Sequence, residues 1–226
     1  MADICQLKDK TDFQRVARME MISIKEVKNV KQMNRRSLGR SDIFVSEIAF
    51  GGVEIGMPYG IGVENQDDML SEGEAIHLLH AAVDSGINFF DTARMYGNSE
   101  QIMGKAFKDR RGKIILSTKC VHLRSADGLL ADSKKFKTII KNSLADSLKA
   151  LQTDYVDVFM LHTADEEILN NAEIARVFSD LKNSGIARAI GASNYLPAEK
   201  DPDISESITD IIQVPFNLLD QRQEAF

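Results

Sequence analysis

Asn88-Phe89-Phe90-Asp91-Thr92-Ala93-Arg94-Met95-Tyr96-Gly97-Asn98-Ser99-Glu100 carries the unit from which the fold is read. A short apolar run ends on an acid, a polar loop holding Tyr96 follows, and Ser99 opens a helical pattern. An apolar run this short, bounded by turn residues, predicts a buried strand over 88–91 and a helix over 99–107. A carboxylate cannot be left unpaired inside a core. Asp91 therefore marks the place where the strand leaves the core for a polar rim.

The same unit recurs in both directions. Strands are predicted at 47–50, 88–91, 114–118, 156–161, 187–191 and 211–214. Helices are predicted between them at 72–85, 99–107, 134–151, 170–184 and 198–208. A hairpin of 36–38 against 43–45 precedes the first strand. Strands joined by helical crossovers predict a parallel sheet buried on both faces, either doubly wound or closed as a barrel. No G-x-G-x-x-G follows the first strand; Gly51-Gly52 leads into a long loop instead. The dinucleotide fold thereby loses its main support, and no Walker-type phosphate loop is present.

The positions of the polar residues favour the barrel. Asp91, Lys119 and His162 end successive strands, Tyr96 lies just past the first of these ends, Ser193 and Asn194 follow the fifth strand, and Gln213 lies in the sixth. In a barrel these ends converge on the face that carries active sites. Singly, each residue has an ordinary reading. Asp91 could cap a turn, Tyr96 could pack with its hydroxyl in water, and Lys119 could run its stem along the surface. His162 could be a satisfied core histidine, and Asn194 a turn former. Jointly those readings require a coincidence on one rim.

Bulk properties exclude several classes. A net charge of −6 argues against a nucleic-acid binder, which needs a basic footprint. Cys5 and Cys120 form neither a disulfide framework nor a metal-ligand spacing, so no metal is expected and a reducing compartment is. No apolar run approaches the ~18 residues of a membrane span, and the acidic, weakly apolar start does not read as a leader. The protein is expected in the cytoplasm, with no membrane partner. Residues 1–33 read as an extension, helical or disordered, ahead of a domain over 34–226.

Several motifs resemble the aldo-keto reductase family. The segment from Asp91 through Tyr96 to Glu100 looks like D-T-A-x-x-Y-G-x-S-E, and Ser117-Thr118-Lys119 like S-T-K. The run from Asp157 to His162 looks like D-x-x-x-x-H, Gly191-Ala192-Ser193-Asn194-Tyr195 like G-x-S-N-[FY], and the run from Gln213 to Leu219 like Q-x-x-[YF]-N-L-L. Arg36-Ser37-Leu38-Gly39-Arg40 and Val45-Ser46 also match, so the resemblance covers about 34–226. Motifs in this order and spacing are far more specific than any one of them.

The resemblance implies a (β/α)8 barrel with about six of its eight strands present. It implies transfer of a hydride between NADP(H), or NAD(H), and the carbonyl or alcohol of an aldehyde, ketone or sugar. Tyr96 would be the proton donor, Lys119 the cation that eases loss of its proton, Asp91 the anchor of Lys119, and His162 a donor to the carbonyl oxygen. Cofactor contacts would fall on Gly52, Val53, Asp91, Ser193, Asn194 and Gln213. Asn and Gln side chains complement a carboxamide. The rim loops at 51–71, with Met57, Tyr59 and Ile61, and at 121–133, with Leu129 and Leu130, are candidates for an apolar mouth. A closed barrel typically takes ~250 residues, so an incomplete version of a longer protein is expected. The alternatives are a redox-sensing or regulatory relative, an inactive truncated product, or an unrelated lyase using Lys119 as a Schiff-base nucleophile. An ion pair with Asp91 would disfavour the lyase.

Overall fold

The computed structural model describes residues 33–194 and 209–221. These residues, Met33 apart, belong to one unit, Asn34–Phe226. Expectations for residues 1–32, the helix at 198–208 and Tyr195 lie outside the described residues.

Strands β1 (Arg35–Ser37) and β2 (Phe44–Ser46) pair antiparallel. Six strands follow: β3 (Ala49–Gly51), β4 (Phe89–Asp91), β5 (Ile115–Lys119), β6 (Val156–Leu161), β7 (Ala187–Ser193) and β8 (Ile211–Gln213). They lie side by side in chain order, every neighbouring pair parallel. The helices are α1 (Val53–Gly56), α2 (Glu72–Asp84), α3 (Ser99–Phe107), α4 (Phe136–Leu151), α5 (Glu166–Leu169) and α6 (Ala172–Asn183). Together they form a curled half-barrel, six strands of the (β/α)8 architecture.

Both faces of the sheet are covered, which is why its strands are apolar nearly throughout. Phe90, Leu116, Phe159, Leu161, Ile190 and Ala192 pack with Leu79, Met103, Ile140 and Phe178 from the helices. The alternate residues Val158, Met160, Ala189 and Ile211 meet Ile43 and Val45 of the hairpin. The hairpin thus fills the inner face. It is seated at Gly39 (φ +55°), where a Cβ would lie 2.2 Å from the Asp210 carbonyl oxygen. Arg40 fixes it further, through its N–H to Asp210 O (2.9 Å) and its guanidinium to Thr209 O (2.6 Å).

The amino ends of the strands hold a buried charge cluster. Asp157, 1% exposed, accepts from Arg111 (2.8 Å), Arg188 (2.7 Å) and the Leu116 N–H (2.9 Å). Arg111 also lies over the Tyr155 ring at 4.0 Å.

Differences from the sequence reading are local. The first barrel strand starts at Ala49 rather than 47, because β2 runs on to Ser46 and the chain turns there, with Ser46 Oγ donating to Ile48 O. The helix expected at 170–184 is present as α6, and a short helix that was not expected, α5, precedes it. Asp165 caps α5 through the Ile168 N–H, and Asn171 separately caps α6 through Glu173 and Ile174. The loop at 51–71 contains α1 and a 3-10 turn, Gln66–Asp68.

Candidate active site

Strand register brings the polar ends together. Asp91 sits opposite Ser117, Lys119 opposite Met160, Leu161 opposite Ala192, and Ser193 opposite Gln213. The residue just past each end therefore enters one rim. Lys119, 1% exposed, places Nζ 2.6 Å from Asp91 Oδ2 and 3.1 Å from Thr92 O. The Gln213 amide donates to the same Asp91 oxygen at 3.3 Å. The ion pair expected between Lys119 and Asp91 is present, and it lies in a buried place.

Tyr96 reaches the rim from a tight turn. Its N–H donates to Ala93 O (3.0 Å), and Ser99 N donates back to Tyr96 O (3.0 Å). The turn presses on α1. A Cβ on Gly56 would stand 2.0 Å from Tyr96 O, and Gly97 (φ +51°) faces Gly56 O at 2.2 Å from its own would-be Cβ. Only glycine fits at either position. Beneath the turn lies a network that sequence reading did not single out. Glu100, 1% exposed, is paired with Arg94 and accepts from Thr118 Oγ1 at 2.7 Å. Glu100 belongs to the quoted motif, yet only the fold shows that it ties the Tyr96 turn to β5. With these supports the Lys119 ammonium stands 5.1 Å from the centroid of the half-buried Tyr96 ring.

Across the rim, the His162 ring meets Tyr96 edge-on, centroids 5.5 Å apart. Burial, with help from His122 and Lys119, lowers the His162 pKa from 6.5 to about 4. The ring is neutral near neutral pH and carries one N–H. His122, 4.6 Å away centroid to centroid, was not expected at the site. Its place on the loop after β5 is nonlocal information. Thr163 follows His162 at φ +60°, a conformation rare for a β-branched residue.

Asn194 is 4% exposed, its N–H bound to Gln213 O (2.9 Å) and its side-chain Nδ2 buried without a partner. Ser193 is half-buried beside it. Such an orphaned donor at a strand end fits a ligand that brings its own acceptor, as the carboxamide of a nicotinamide does. Gly52 stands behind the rim, its N–H on Asp91 O (2.9 Å) and its would-be Cβ against Met103 and Ser99. Val53 opens α1 beside it.

A cavity of about 300 Å³ adjoins the rim, lined among others by His122, Arg124, Ser125, Thr163, Asp165 and Asn194. Its lining is mixed, with Leu123, Ala126 and Ala164 beside those polar residues, where an apolar mouth was a candidate. Leu130 turns inward to the core and Leu129 is exposed, and neither lines it. Tyr59 lines a separate cavity near α1, and Ile61 is fully exposed.

The model of the aldo/keto reductase family matches residues 47–226. The chain belongs to that family. It is 33% identical over 196 residues to the uncharacterized oxidoreductase YqkF of Bacillus subtilis, covering 85% of this chain and 59% of that protein. It is 33% identical over 205 residues to the NADH-specific methylglyoxal reductase of Escherichia coli, covering 85% and 61%. Among solved structures, the holo form of the aldo-keto reductase AKR11C1 from Bacillus halodurans superposes with a TM-score of 0.70 at 34% identity, over 86% of this chain and 61% of that one. The chain thus spans about 60% of the length of these relatives. No helix among the described residues is long and apolar enough to cross a membrane.

Proposed function

We propose that the protein reduces the carbonyl of an aldehyde, ketone or sugar, and oxidises the corresponding alcohol, with Tyr96 as proton donor. The observation that carries this is the convergence of the buried Lys119–Asp91 pair, the Tyr96 ring above it and neutral His162 opposite. The cofactor is NADP(H) or NAD(H), which supplies the hydride when bound. Asn194, through the orphaned Nδ2, would hold its carboxamide together with Ser193 and Gln213, and Gly52, Val53 and Asp91 would add further contacts. His162 donates its one N–H to the substrate oxygen and orients it. As negative charge builds on that oxygen, the Tyr96 hydroxyl gives up its proton, leaving a phenolate. Lys119 stabilises that phenolate, because a nearby cation favours the charged form. Asp91 fixes the ammonium and offsets its burial. Solvent returns the proton to Tyr96.

The rest of the reading follows from composition and family. The protein works in the cytoplasm on a small molecule, without nucleic acid, membrane or metal, and residues 1–33 precede a domain over 34–226. The test is direct. NADPH or NADH absorbance should fall when the protein meets an aldehyde. Asn194→Ala should weaken cofactor binding about tenfold, the worth of one well-made hydrogen bond, as read by quenching of NADPH fluorescence. Unchanged cofactor affinity in Asn194→Ala would contradict the placement, and no oxidation of either cofactor by any carbonyl would contradict the function.

A further inference from the structure

We infer that Glu100 is a positioning residue for the proton donor: with Arg94 and Thr118 it forms a buried clamp that holds the Tyr96 turn against the strand carrying Lys119. This rests on the reductase reading above.

The clamp is a closed circuit of bonds. The Arg94 N–H donates to Lys119 O at 3.1 Å. The Arg94 guanidinium pairs with Glu100 Oε2, and Glu100 Oε1 accepts from Thr118 Oγ1 at 2.7 Å. Thr118 precedes Lys119 in β5, which closes the circuit. Tyr96 lies on the segment the circuit encloses, between Arg94 and Glu100. A backbone bond, Thr92 N–H to Ser117 O at 2.9 Å, already fixes the start of the turn on β5. Glu100, in the first turn of α3, fixes the part beyond Tyr96.

Burial shows that this arrangement is not general core packing. Glu100 is 1% exposed and Thr118 is fully buried. A buried ion pair adds little stability over apolar side chains of similar volume. What it adds is direction, because charge-assisted bonds to a carboxylate have a defined geometry. Tyr96 needs that definition. Its ring stands 5.1 Å from the Lys119 ammonium and edge-on to His162. The influence of a cation falls with distance, and a misplacement of about 1 Å can cost about 100-fold in rate. Both oxygens of the Glu100 carboxylate are engaged, so Glu100 acts through Tyr96 rather than on a substrate.

The test opens the clamp from two sides. Thr118→Val removes the hydroxyl without changing any charge, and Thr118→Ser keeps it. Glu100→Gln keeps an acceptor for Thr118 but breaks the pair with Arg94. In butanal reduction, kcat should fall at least about tenfold in Thr118→Val and Glu100→Gln. Cofactor affinity, read by quenching of NADPH fluorescence, should stay within about twofold, and Thr118→Ser should keep kcat within about twofold. Position is read separately from turnover. The protein has four tyrosines, so carbon-13 at Cζ follows their ionisation by NMR, with Tyr96→Phe assigning the Tyr96 signal. Lys119, Asp91, Arg94, Glu100, His162 and His122 are all retained in the Thr118 variants. A rise in the pH at which Tyr96 ionises in Thr118→Val therefore reports a more distant Lys119, and Thr118→Ser should show none. Glu100→Gln should raise it too, against the fall that loss of a nearby negative charge alone would give. Parental kcat in both clamp-opening variants, a kcat loss that Thr118→Ser shares, or a Tyr96 titration that neither opening variant raises overturns this inference. Oxidation of neither cofactor by any carbonyl overturns the reductase reading instead, and the Tyr96 titration still decides this one.

Discussion

Lys119→Met isolates the energetics of the site. In the parent, Lys119 is 1% exposed, and Nζ bonds Asp91 Oδ2 at 2.6 Å and Thr92 O at 3.1 Å. Methionine fills most of the volume but removes the charge. Asp91 then keeps only the Gln213 amide at 3.3 Å on Oδ2, and its Oδ1 is already unpartnered. Removing one member of a buried pair costs about 3–5 kcal/mol. The orphaned carboxylate can escape by taking up a proton, which for a carboxyl at pH 7 costs about 4 kcal/mol and so sets a ceiling. The expected loss is about 3–4 kcal/mol, or a fall in Tm of about 6–16 °C for a domain of this size. The loss should shrink in acid, where protonation is easier. Asp91→Asn added to Lys119→Met removes the stranded charge, and should recover all but about 1 kcal/mol. Urea and thermal unfolding of the parent, both single variants and the double variant complete the cycle. A Lys119→Met protein as stable as the parent, or a double variant less stable than Lys119→Met, would refute the buried-pair reasoning.

Two further outcomes are expected. The His162 ring should titrate near pH 4 by NMR. Because its folded pKa lies below its ordinary 6.5, the unfolded chain binds the extra proton first, so this histidine's stability contribution is lost as pH falls from about 6.5 to about 4; titration near 6.5 would contradict this. Asp157→Ala strands the Leu116 N–H in the core and takes the carboxylate from half-buried Arg111, and should cost about 3 kcal/mol in thermal unfolding; a loss under about 1 kcal/mol would show the cluster to be solvated.

Much of this molecule is legible in the sequence wherever local pattern and burial agree. Phe89-Phe90-Asp91 and Val156–Leu161 read as strands because each is short, apolar and bounded by polar residues, and each is sheathed on both faces in the structure. The Lys119–Asp91 pair was legible because parallel register makes adjacent strand ends neighbours. What stayed hidden depends on contacts between segments distant in sequence. Nothing near His122 in the chain announces His162, and nothing near Arg124 announces Asp165 and Glu167, 41 and 43 residues on. Leu129 and Leu130 suggested an apolar mouth by type alone. The loop, with Arg124 bridged to Leu130, instead lines the cavity through His122–Ala126 and Gly128. The short helix α5 was locally encoded by its Asp165 cap, but four residues are too few to show a helical period.

The central claim is that Tyr96 delivers the proton, and Tyr96→Phe tests it most directly. Phenylalanine keeps the ring above Lys119 and the edge contact with His162, and leaves Asn194, Ser193 and Gln213 untouched. Steady-state carbonyl reduction should fall by about 100-fold or more, the usual worth of a positioned acid, with NADPH affinity within about twofold of the parent. Retention of more than about a tenth of parental turnover would contradict the assignment.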